Sequence, residues 1–189
     1  MDTLLVGKYR FSSNFQKPAI LPPYKGSTFR GVFGHALKNI VCTFTSHTCD
    51  QCLLVRQCVY VKIFEPHRLK IQPMANMKQM TSMPSPFVIE PPLTQKTHYD
   101  TNDFFDFDLL LFGATNELLP YYIYAFDKIG YIGVGKSIDG QRGQFTLKTV
   151  VTSGEKVYQN HRNKVYHYLK TTHLSNLAIL LSHKSPIFI

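Results

Sequence analysis

Apolar residues recur every three or four positions between Phe29 and Ile40, a spacing that predicts a helix with two unlike faces. Phe29, Val32, Phe33, Ala36, Leu37 and Ile40 form the apolar stripe, and Arg30, Gly31, Gly34, His35 and Lys38 fall on the other side. Ser27 or Thr28 is the expected N-cap. Two glycines inside a short helix cost about 1 kcal/mol each against alanine, so their place on the polar face needs a reason. Close approach of a large ligand is one; close packing of another helix or strand is the other. A second helix is expected after Asn116, its cap, with Leu118, Leu119, Tyr122, Ile123, Phe126 and Ile129 as its stripe. Elsewhere the period is two. Residues 3–12 alternate loosely and end in a Ser12-Ser13-Asn14 turn. Residues 59–64 are a β-branched and aromatic run stopped by Pro66, and residues 87–89 lie between Pro86 and Pro91. Residues 104–112 put Phe105, Phe107, Leu109 and Leu111 on one side and Asp106 and Asp108 on the other, and residues 144–151 form a last strand.

Taken in order these elements read strand, helix, strand, strand, helix, strand. That is the ferredoxin-like βαββαβ unit, an α+β fold with two helices on one face of an antiparallel sheet. The open face of such a sheet is a common RNA platform. The unit is expected over residues 1–151, with a cysteine-containing insertion at 42–58 and a long loop rich in proline and methionine at 66–86. Residues 152–189 carry Tyr158, His161, Arg162, Lys164, Tyr166, His167, Tyr168, Lys170 and His173. They read as a short basic extension or the start of an incomplete second unit.

Charge narrows the partner. Lys+Arg 21 against Asp+Glu 12 gives a net charge of +9, and the pI is near 9.4, which favours a polyanion. Nucleic acid comes first and an acidic membrane surface second. With 11 tyrosines and 14 phenylalanines, rings are available for the unstacked bases of single-stranded RNA, although most phenylalanines are expected in the core. No apolar run reaches the roughly 18 residues of a membrane span, and the N-terminus lacks the order of a signal peptide. A cytoplasmic location is expected.

All four cysteines, Cys42, Cys49, Cys52 and Cys58, fall within one C-x6-C-x2-C-x5-C span. Four thiolates satisfy tetrahedral zinc and leave no position for a catalytic water, so structural zinc is the expected cofactor, ahead of an iron-sulfur cluster or free thiols. His47 and His67 flank this region. Residues 130–137 satisfy the letters G-x-x-x-x-G-K-[ST] of a phosphate-binding P-loop. A P-loop leaves a strand and enters a helix; here a helix precedes and a strand follows, so nucleotide hydrolysis is not expected. The glycine-rich loop at 130–143 instead offers Lys136 and Arg142 to an RNA backbone.

Three stretches carry a family resemblance. Residues 24–37, the segment from Cys49-Asp50-Gln51-Cys52 to Cys58-Val59-Tyr60 ending in Phe64-Glu65, and residues 120–126 leading into Gly133-Val134-Gly135-Lys136 and Gly143-Gln144-Phe145 resemble the CRISPR-associated pre-crRNA-processing endoribonucleases of the RAMP superfamily. The resemblance spans about residues 20–151. It implies cleavage of CRISPR repeat RNA without a catalytic metal, leaving a cyclic phosphate, and usually two ferredoxin-like units, so this chain looks like a short or truncated member. Partners would be the repeat transcript, other subunits of a CRISPR complex or a second copy. Cleavage needs a base, an acid and a cation for the developing charge. His35 matches the histidine of the family's helix motif and is expected as base or acid, Lys38 as the cation, and Tyr24 as a group for orientation or proton transfer. Lys25, Arg30, Lys136 and Arg142 are the expected RNA-binding residues. The alternative is a non-catalytic RNA-binding RAMP subunit of a CRISPR ribonucleoprotein.

Overall fold

The computed structural model describes residues 4–42, 44, 48–69, 84–160 and the backbone of 164–165. Along the chain the elements are β1 (Val6–Phe15), β2 (Ala19–Ile20), α1 (Gly26–Val41), α2 (Val59–Phe64), β3 (Phe87–Glu90), β4 (His98–Tyr99), β5 (Phe104–Phe112), α3 (Leu119–Ile132), β6 (Val134–Ile138), β7 (Gln141–Gly143), β8 (Phe145–Thr152), β9 (Glu155–Gln159) and β10 (Lys164–Val165). One sheet has the order β10-β9-β8-β1-β5-β3 and a small second sheet the order β4-β2-β6-β7.

Within the large sheet, β8-β1-β5-β3 is antiparallel throughout, with α1 following β1 and α3 following β5. This is the ferredoxin-like α+β unit read from the sequence. The alternation in β5 supplies its inner face: Phe107 stacks on Phe11 at 4.9 Å and meets Phe126 of α3 at 4.6 Å. Phe33 of α1 stacks on Tyr122 of α3 at 4.9 Å. Each such ring, fully buried, contributes about 1.5–3 kcal/mol, and this ring cluster holds both helices to the sheet.

Four local expectations are corrected. Residues 59–64 form a helix, α2, and not a strand. A short apolar run interrupted once, at Lys62, has no clear period of its own, and Tyr60, Val61 and Ile63 bury a helical face before Pro66 ends it. The chain does not turn at Ser12-Ser13-Asn14; β1 continues to Phe15, with β8 bulging at Lys148 opposite Ser12 and Ser13, and plain alternation puts Phe11, Ser13 and Phe15 on the buried face. The first helix begins at Gly26 with Lys25 as N-cap, so Ser27 and Thr28 lie inside it. Asn116 does not cap α3, which starts at Leu119 with Pro120 in its first turn. Asn116 is buried; its amide donates to the carbonyls of Gly113 at 2.8 Å and Leu111 at 3.3 Å, and its Oδ1 accepts from the Tyr9 hydroxyl at 3.0 Å. Burial pushes the Tyr9 phenol up to about 12.

The chain after residue 151 begins as part of the same sheet, since β9 pairs with β8 and β10 with β9. The expected loop at 66–86 lies largely outside the described residues, and so do His47, His161, Arg162, Tyr166, His167, Tyr168, Lys170 and His173.

On the face away from the helices, an ionic cluster joins three strands. Asp108 on β5 is 4% exposed and accepts from Arg10 Nε and Nη2 at 2.8 and 3.1 Å, with Lys8 Nζ at 3.2 Å; Lys8 also meets Glu90 of β3 at 2.7 Å. Burial works against the ionised form of Asp108, but Arg10 and Lys8 outweigh it and hold the carboxyl down at about 2. The basic residues of β1 on this face are therefore paired within the sheet.

Candidate nucleic-acid interface

Residues 130–143 are not a loop. α3 ends at Ile132, and β6 and β7 form a hairpin around Asp139-Gly140, whose φ values of +48° and +78° give a two-residue turn with both residues in the left-handed region. Gly135, at φ +83°, lies where an added Cβ would stand 2.2 Å from the Ile20 carbonyl oxygen, so β6 reaches β2 only with glycine there. The Gly-Lys-Ser letters thus belong to a strand, and no helix N-terminus follows them.

The hairpin faces α1 across a groove of about 440 Å³, walled by Ile20, Leu21, Pro22, Thr28, Val32, Gly135, Lys136 and Arg142. That volume is of the size of small-ligand clefts. Lys136 and Arg142 are exposed, and among the described residues neither has an ion pair. Lys17 donates to Gln141 Oε1 at 2.6 Å, outside the groove's lining. Two phosphate-binding side chains from the sequence reading are therefore brought to one opening, where Thr28 supplies a hydroxyl and Val32 an apolar floor.

The family model AF_1859_N, an N-terminal domain, matches residues 4–170. The chain belongs to the AF_1859_N family. An uncharacterized protein of Archaeoglobus fulgidus is 27% identical over 139 residues, 73% of this chain, and the chain spans 44% of that relative's length. A solved chain of the Csm3-Csm4 subcomplex in the type III-A CRISPR-Cas interference complex superposes with a TM-score of 0.48 at 15% identity, covering 79% of each chain.

The other expected site residues of this AF_1859_N domain are spread over two sides of α1. Arg30, Gly34 and Lys38, four apart, share the side that meets α2. The Arg30 guanidinium lies 5.0 and 4.8 Å from the ring centres of Phe64 and Phe87. Lys38 Nζ lies 5.5 Å from the centre of Tyr60. A Cβ on Gly34 would stand 2.6 Å from Phe64 Cζ, so this glycine serves helix packing, whereas Gly31 has nothing within 4 Å of the same point. Thr28, Val32 and His35 share the side that faces the groove. His35 is exposed, about one turn beyond the groove wall. His35 and Lys38, adjacent on a helical wheel, thus serve different sides. Tyr24 is 68% exposed, with its ring over Gly26.

Lys25 is corrected outright: it is fully buried, and its ammonium donates to the carbonyls of Thr94 at 2.9 Å and Pro23 at 3.0 Å, so it fastens the start of α1 and offers no charge to a phosphate. Burial lowers its pKa. The sequence reading also missed His98 on β4. Ile20 pairs with His98 on one side and with Lys136 on the other, so all three side chains stand on one side of the small sheet. Only the two-residue strand β4 places His98 there, and a strand that short leaves no period to read.

The four cysteines are gathered. Cys42, Cys49, Cys52 and Cys58 line one recess of about 20 Å³ together with Lys38, Phe44, Val55, Tyr60 and Val61. All four are half-buried and none is in a disulfide. Among the described residues no three metal-ligating side chains are drawn together into a coordination group, nor is any helix long and apolar enough to cross a membrane.

Proposed function

We propose that this chain binds repeat RNA within a CRISPR-associated RAMP protein, holding the RNA backbone in the groove between α1 and the β6–β7 hairpin. The observation that carries the reading is the pair of exposed cations, Lys136 and Arg142, without acidic partners among the described residues, on a glycine-built hairpin opposite α1. The basic face of the main sheet is a weaker choice, because Lys8 and Arg10 are neutralised by Glu90 and Asp108. The RAMP assignment itself rests on the motif resemblance. Phosphate contacts position the strand, and nearby rings serve unstacked bases.

Endonucleolytic cleavage is the finer reading, and it is favoured by two exposed histidines outside the groove's lining, one on each of the two layers that form it. His35 stands on the groove side of α1 and His98 in register with Lys136 on the small sheet. In that reaction the RNA's own 2′-oxygen attacks the adjacent phosphorus and the bond from phosphorus to the 5′-oxygen breaks. One histidine takes the 2′-OH proton and the other protonates the leaving 5′-oxygen, leaving a 2′,3′-cyclic phosphate and a 5′-OH. Imidazoles suit both roles near neutral pH.

The test is a gel of a stem-loop repeat RNA incubated with the purified chain, His35→Ala and His98→Ala, without added divalent metal. Cleavage that falls by about 10² to 10⁴ in either variant, with affinity little changed, supports the endonuclease. Binding without scission by the parent leaves the RNA-binding subunit as the function. No binding of RNA overturns both.

A further inference from the structure

We infer that Cys42, Cys49, Cys52 and Cys58 bind one zinc ion that fastens α2 to the end of α1. The four residues are placed by three different pieces of local structure. Cys42 ends α1, its N–H bonding to the Lys38 carbonyl at 2.9 Å, and Cys58 is the N-cap of α2. Between them, Cys49 and Cys52 bracket a single helical turn in which the Cys52 N–H bonds to the Cys49 carbonyl at 3.3 Å. Short two-residue spacings of this kind give two thiolates to one ion.

Convergence on one recess is the second observation. About 20 Å³ admits one water-sized body. A single ion such as zinc fits such a space. Four thiolates around a divalent cation leave an excess of negative charge, and Lys38 stands on the wall to offset it. Coordination requires the thiols to turn inward; at present Cys42 Sγ donates to the Phe44 carbonyl at 3.3 Å.

The recess is braced from outside. Arg68 bonds both Asp50, in the turn between Cys49 and Cys52, and Glu65, at the end of α2. α2 rests on α1 through Gly34 and Phe33 against Phe64, Arg30 over Phe64 and Lys38 over Tyr60. A helix of six residues is too short to hold itself, so a bound ion that ties its N-cap to the C-cap of α1 supplies folding energy.

The experiment is metal analysis of the full chain purified without added metal, followed by cobalt substitution and the thiolate-to-cobalt charge-transfer spectrum. One zinc per chain, with a tetrahedral thiolate cobalt spectrum, is expected. Cys52→Ser should lose most of the metal, whereas Asp50→Ala, outside the ligand set, should retain it. Because a cysteine variant can fail to fold, the parent's own metal content decides. Absence of zinc, iron with sulfide in its place, or a cobalt spectrum without thiolate bands overturns the proposal. RNA binding is measured separately on the parent, so failure of the zinc site and failure of the groove are distinguishable.

Discussion

Replacing Asp108 by asparagine removes the carboxylate that Arg10 and Lys8 hold while keeping its size. In the folded chain the carboxyl titrates at about 2, against 3.8 for an ordinary aspartate. One pH unit of difference is worth 1.36 kcal/mol, so ionisation of Asp108 stabilises the fold by about 2 kcal/mol. The folded pKa is the lower one, so this contribution is fully present above about pH 4 and is lost as the pH falls through about 2. Urea unfolding of the parent and Asp108→Asn at several pH values measures it. At pH 7 the variant should be about 2 kcal/mol less stable, and the gap should close on acidification, since a protonated aspartic acid and asparagine are alike in charge. A constant gap from pH 7 to pH 3 would refute the reasoning, because it would locate the loss in packing and not in charge.

Asn116→Leu leaves the Tyr9 hydroxyl and the Leu111 and Gly113 carbonyls without their partner and should cost about 1–3 kcal/mol in the same assay. Adding Tyr9→Phe should cost less than it does in the parent, because it removes the orphaned hydroxyl; strict additivity would sink this account. Gly135→Ala meets both a positive φ and the Ile20 carbonyl, whereas Gly140→Ala meets only the positive φ. The second should cost about 1 kcal/mol and spare RNA binding, while the first should cost more and weaken binding by detaching the hairpin. Equal effects on stability and affinity would mean that β6 does not depend on its close approach to β2.

The large sheet and its two long helices are legible in the sequence because their periods run long enough to be unambiguous, as in β5 and α1. α2 is not, since Val59, Tyr60, Val61, Ile63 and Phe64, interrupted only at Lys62, fit a short strand as well as a helix. The small sheet escaped because β2 and β4 have two residues each, although the Asp139-Gly140 pair does carry a hairpin signal. At the site, Lys136 and Arg142 were readable from their setting among glycines. The division of α1's polar face was not, since a helical wheel puts His35 beside Lys38 and cannot say that α2 takes one side and the groove the other. Lys25 shows the same limit: nothing in its local sequence reveals that two carbonyls await it.

The claim that the groove is the RNA path is tested most directly by the salt dependence of repeat-RNA binding in the parent, Lys136→Ala, Arg142→Ala and the double variant. For a single strand each lost phosphate contact should flatten the slope of log K against log salt by about 0.7, and the double variant by about twice that. Lys8→Ala, on the paired face of the sheet, should leave the slope unchanged. If the Lys136 and Arg142 variants keep the parent's slope and affinity at every salt concentration, or if Lys8→Ala flattens the slope as they do, the groove is not where this chain holds RNA.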